Sequence, residues 1–114
     1  MSKFDDALVT YTEAIKNILK IKDIDASLLK AVTKGLGPSI YKADASKVSC
    51  SDKEELARVK NNFLIKKLGL DDSPALDKAI QEVCEQLGSR NPNKYRAVFY
   101  YLLTKKLGKE SFYL

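Results

Sequence analysis

Histidine is absent from this sequence. The side chain most used for proton transfer near neutral pH, and the commonest metal ligand, is therefore unavailable, which argues against an enzyme. Cysteine is scarce as well: Cys50 and Cys84 are too few for a disulfide scaffold and show no CxxC spacing, so both are expected to be reduced. Two isolated thiols without histidine cannot supply the four ligands of a structural zinc site. No apolar run approaches the roughly 18 to 20 residues of a membrane span, and the opening MSKFDDALVTYTEA lacks a basic-then-apolar signal pattern. The expectation is a cytoplasmic protein with no cofactor, no metal and no membrane contact.

What is present is an ordinary globular composition. Of 114 residues, 45% are hydrophobic and 31% charged, which argues against a disordered or fibrous chain. A chain of this length forms one domain, residues 1–114, and buries a core without staples.

Hydrophobic spacing of three and four predicts an all-α fold of about five helices, with no convincing period of two. Phe4, Leu8, Tyr11, Ile15, Ile18 and Leu19 share one face of a helix over residues 3–20, opened by Ser2 and ended near Lys16 and Lys20. Asp25 caps a second helix carrying Leu28, Leu29 and Val32 inward, with Gly35 as its left-handed terminator. Ser51-Asp52-Lys53-Glu54 has the form of a capping box, opening a helix with Leu56, Val59, Phe63 and Leu64 on its core face and Gly69 at its end. Ser73-Pro74 starts a fourth helix with Leu76, Ile80, Val83, Cys84 and Leu87 inward, ended by Gly88. Asn91-Pro92 starts a fifth, running to about Leu107, whose Tyr95, Val98, Phe99, Leu102 and Leu103 make it the most enclosed.

Residues 35–51 interrupt this pattern with one long polar connection, read as pinned to the core by Ile40, Tyr41 and Val48. Long structured loops often carry function, so Tyr41, Asp44, Ser46, Ser49 and Cys50 are the candidates for a small-ligand or partner site. Cys50 precedes a helix start, where a thiol can be shifted toward thiolate, so a redox role through it is a further alternative. The acidic pairs Asp5-Asp6, Glu54-Glu55 and Asp71-Asp72 point about 100° apart on a helix and are read as capping features.

Charge is distributed unevenly. Residues 71–88 carry one basic and five acidic side chains, whereas residues 89–114 carry six basic and one acidic. A basic C-terminal third with neighbouring tyrosines could track a phosphate backbone, and Arg90, Lys94, Arg96, Lys105 and Lys106 would make the contacts. Lysines in the last turn of a helix also complement its dipole, and most surface lysines serve no partner, so nucleic-acid binding ranks second. Val9, Ile65 and Tyr101 lie off the core stripes. Together with Phe112-Tyr113-Leu114 they would form a contact surface for a second copy or another protein, and this non-enzymatic interaction role is the leading expectation.

The stretches GLGPSIYKADASKVSCSD, NNFLIKKLGLDD and NKYRAVFYYLLTKKLGKES, with the N-terminal MSKFDDAL, resemble a family of small single-domain bacterial proteins classed as a domain of unknown function. The resemblance spans nearly the whole chain. It implies a bacterial, cytoplasmic, helical protein and transfers no catalytic or binding residue.

Overall fold

The computed structural model describes residues 3–18, 20, 23–42, 46–88, 91 and 94–113, the side chain of Ile18 excepted. The expectations placed on Ser2, Leu19, Asp44, Arg90, Pro92 and Leu114 lie outside these residues. The fold is all-α. Among the described residues its five helices are α1 (Lys3–Ile18), α2 (Ala26–Leu36), α3 (Lys53–Arg58, continued by wider winding over Val59–Lys67), α4 (Pro74–Leu87) and α5 (Arg96–Lys106). Short 3-10 turns cover Gly37–Tyr41 and Glu110–Tyr113.

The core is assembled around α5. Ala97 through Thr104 are all buried, and the helix packs against α1, α2 and α4. The inward faces expected of the other helices close on it: Tyr11 and Ile15 from α1, Leu28, Leu29 and Val32 from α2, Val59, Phe63 and Leu64 after α3, and the whole α4 stripe. Thr33 and Thr104, fully buried, return their hydroxyls to the carbonyls four residues back, each at 2.7 Å, so neither leaves an unmet donor in the core. Tyr101 is no surface residue, being 1% exposed. Because α5 is surrounded, the off-stripe position that would face water on a two-sided helix meets protein here.

Several boundaries differ from the local reading. Lys20 sits beyond the end of α1 at φ 55. Gly35 does not stop α2; the helix runs through it to Leu36, and Gly37 takes the terminating conformation at φ 65, ψ −150. A Cβ at Gly35 would lie 2.8 Å from Lys67 Nζ and 3.8 Å from the Tyr113 ring, which cross the helix at that point. Asp52, not Ser51, caps α3, its Oδ1 accepting from Glu54 N at 3.0 Å and Glu55 N at 3.3 Å, while the Ser51 hydroxyl pairs with that of Ser49 at 3.2 Å. Asn91 does not open α5. It closes α4 instead, donating from Nδ2 to Leu87 O at 3.1 Å and from its backbone N–H to Gly88 O at 3.1 Å.

The long connection is held by main chain as much as by side chains. Val48 N donates to Lys94 O at 2.8 Å and Arg96 N to Ser46 O at 2.7 Å, an antiparallel pairing of Lys47 with Tyr95 that fixes where α5 begins. Ile40 and Val48 are buried as expected, but Tyr41 is not a pin, since it is 47% exposed.

Candidate functional site

Beyond Arg58 the third helix unwinds from α to π geometry. Leu68 N donates to Phe63 O, five residues back, at 2.9 Å. Winding of this kind is rare and is found mostly as single turns, frequently at functional sites, whereas here it persists over nine residues. Two pairings fix the direction of this helix relative to α4: Cys50, just before α3, meets Cys84 near the end of α4, and Lys60 meets Asp77 near its start. The two elements therefore run antiparallel.

Between them lies a groove of about 370 Å³. Leu56, Ala57 and Ile80 supply its apolar surface; Lys53, Lys60, Asn61, Asp77 and Gln81 supply the polar rim. Its volume is at the low end for small-molecule sites and its mouth is open to solvent. At one end Lys60 Nζ bridges Asp72 Oδ1 at 2.8 Å and Asp77 Oδ2 at 3.1 Å, and these hydrogen bonds, Asp72 first, raise the lysine pKa above its ordinary value. At the other end the Cys50–Cys84 disulfide, Cα–Cα 6.0 Å, joins the approach to α3 with α4. The expectation of two reduced thiols is thus corrected: Cys84 is in the core as read, but its sulfur lies against that of Cys50, a proximity that spacing along the chain could not reveal.

Beside the groove, Glu55 joins the two chain segments that meet at Arg96. Arg96 Nη2 donates to Glu55 Oε1 and to Lys47 O, its Nη1 donates to Tyr100 Oη at 3.2 Å, and Arg58 Nη2 donates to Glu55 Oε2 at 2.8 Å. Burial pushes the Glu55 carboxyl up, but the hydrogen bonds from Arg58 and Arg96 outweigh it and hold the group below the usual carboxylate range. Glu55 is therefore more than the capping carboxylate expected. Tyr100, in turn, stacks on Phe63 with ring centroids 4.0 Å apart, linking this ion pair to the core.

The residues picked from the long connection face separate surroundings. Ser46 is buried and its carbonyl receives Arg96 N; Ser49 is exposed; Cys50 is half-buried in the disulfide; Tyr41 stands in solvent near enough to Tyr11 to raise that phenol's pKa, after burial and Tyr95. Of the basic candidates, Arg96 is held by Glu55, Lys94 Nζ donates to Asn91 O at 2.8 Å, Lys105 Nζ lies 5.8 Å from the Tyr101 ring, and Lys106 Nζ is 3.8 Å from Glu82. The tail folds back. Tyr113 lies half-buried against the core under Lys67, whereas Phe112 is 46% exposed, as is Val9 at 48%. Sequence reading missed the groove because Leu56 and Ile80 read as core stripe; the polar rim, Lys53, Lys60 and Asp77, gave no pattern at all.

An all-α globule with an interhelical groove fastened at both ends is the class that fold and site define. The chain belongs to the family described as "Protein of unknown function (DUF2853)", whose profile matches residues 10–111. No curated protein matches it. Among the described residues no helix is long and apolar enough to cross a membrane, and no three His, Cys, Asp or Glu side chains cluster as a metal site would need.

Proposed function

We propose that this protein is a non-enzymatic interaction module whose α3–α4 groove receives a short segment of a partner protein. The observation that carries the reading is the groove's make-up: an apolar strip of Leu56, Ala57 and Ile80 beside polar groups able to orient a guest. Helix-in-groove recognition uses this arrangement, with apolar anchors for affinity and a polar rim for register. Lys60 is already committed to two carboxylates, whereas Lys53 makes no ion pair among the described residues, so a guest with an apolar anchor next to an acidic side chain fits best. Exposed Val9, Tyr41 and Phe112 offer further apolar contact, for another protein or for a second copy.

Ala57 is exposed and lines the groove, so Ala57→Arg blocks it without touching the core. A partner captured by the natural chain and lost with this variant supports the reading; equal capture by both defeats it. Light scattering across concentration tests the second-copy version, which a strictly monomeric species removes. The nucleic-acid alternative draws on fewer available cations than composition suggests, given the engagement of Arg96, Lys94 and Lys106. Retention on DNA that falls steeply with salt would revive it.

A further inference from the structure

We propose that Cys50 and Cys84 are a reversible redox pair, an intramolecular disulfide that accepts two electrons from a dithiol and so fastens or releases one end of the α3–α4 groove. Three observations carry this. The first is position: Cys84 follows Ile80 by one helical turn on α4 and Cys50 precedes Lys53 by three residues, so the bond spans the same two elements that the groove residues line. The second is redundancy. The opposite end is fastened by Lys60 to Asp72 and Asp77, contacts indifferent to redox state, so breaking the disulfide frees one end and leaves the other as a hinge. The third is access, because Cys50 is half-buried at a surface turn while Cys84 is 7% exposed, which directs an attacking thiolate to Cys50. A core built from all five helices does not depend on the bond to form. In the cytoplasm expected from the sequence, persistent structural disulfides are rare and those that occur are mostly transient.

The exchange balances as follows. One thiolate of the dithiol attacks Cys50 Sγ; the Cys50–Cys84 bond breaks with its electron pair leaving on Cys84, and a mixed disulfide forms at Cys50. The second thiolate of the dithiol then attacks the dithiol's own sulfur in that mixed bond, closing a disulfide within the dithiol and expelling the Cys50 thiolate. The dithiol's two protons end on the two cysteines, and it is oxidised by two electrons as the protein is reduced by two. What the groove binds plays no part in this step, so the proposal stands or falls separately from the docking reading.

Dithiothreitol, mixed in graded ratios of its reduced and oxidised forms, is the probe, applied to the full chain without denaturant. Thiols are counted by alkylation and mass, and amide hydrogen exchange is followed in parallel. Both thiols are expected to emerge together and to disappear on returning to the oxidised form. In the reduced protein, amides over residues 53–61 and 77–84 are expected to exchange faster by about tenfold beyond the general acceleration that loss of the crosslink gives the core amides of α5. A bond that yields only in denaturant overturns the proposal, and so does exchange that rises no more over residues 53–61 and 77–84 than in α5. The paired substitution Cys50→Ser with Cys84→Ser is expected to stay folded and reproduce the reduced exchange pattern; if it unfolds, the bond is a structural staple and the proposal fails.

Discussion

The hydroxyl of Tyr101 accepts a hydrogen bond from the backbone N–H of Asp25 at 3.0 Å, so the middle of α5 holds the residue that caps α2. Asp25 Oδ1 meanwhile accepts from Leu28 N at 3.0 Å. One aromatic side chain thereby couples the start of one helix to the centre of the core. Tyr101→Phe keeps the ring and removes the acceptor, leaving a part-buried N–H unmet. The expected cost is about 1 to 2 kcal/mol in urea unfolding, with helical content unchanged.

Acid should act through Glu55. Its folded pKa is depressed below the unfolded value, so its contribution is complete above the unfolded pKa, near 4.5, and is lost as pH falls through the folded one. Glu55→Gln should therefore flatten the stability profile below about pH 4.5 and lower stability at neutral pH. Arg96→Ala, which strands Glu55 with one partly exposed arginine, should cost about 2 kcal/mol at neutral pH. Identical acid limbs for the natural and Glu55→Gln chains would count against the ion pair.

Alkali should act through Tyr113. Burial, and then the neighbouring Tyr100, push its phenol up to about 12, and its hydroxyl is buried without a hydrogen-bond partner among the described residues. The folded pKa is raised, so ionisation leaves stability untouched below the unfolded value near 10 and lowers it as pH climbs toward 12, where the unfolded phenol has released its proton and the folded one has not. Tyr113→Phe removes both penalties. It should raise stability at neutral pH by roughly 1 kcal/mol and shift alkaline unfolding to higher pH, while deleting the phenol that ionises near 12 in an ultraviolet titration.

Gly35 and Gly37 should respond in opposite ways to alanine. Gly37, at φ 65 and ψ −150, occupies backbone space nearly closed to other residues, so Gly37→Ala should cost about 1 to 3 kcal/mol. Gly35 is helical, and the atom that a new Cβ meets first is the mobile end of Lys67, which can swing away. Helix propensity then offers up to about 1 kcal/mol, offset by the displaced contact between Lys67 and Tyr113, for a net change near zero or stabilising. A larger loss at Gly35 than at Gly37 in thermal unfolding would reverse the assignment of the helix end.

Removing the disulfide should weaken the fold without abolishing it. It closes a loop with a sequence separation of 34, for which chain entropy predicts about 3 to 4 kcal/mol. Denaturant midpoints in oxidised and reduced protein give the difference directly.

The sequence by itself determined the all-α class and most of the residues that α2 and α4 turn inward. Those properties are local: a stripe recurs every three or four residues, and a cap such as Asp25 bonds an amide only three residues away. The tertiary structure decided what local pattern left open. Two glycines stood ready to end α2, and only Gly37 takes the positive φ while the helix passes through Gly35. Asn91 could open one helix or close another, and it closes α4 while the pairing of Lys47 with Tyr95 sets the start of α5. Glu55 meets Arg96 across 41 residues, Cys50 meets Cys84 across 34, and Tyr101 reaches Asp25 across 76. No periodicity carries such pairings, because they depend on how whole helices stack, and the groove between α3 and α4 exists only once that stacking is complete.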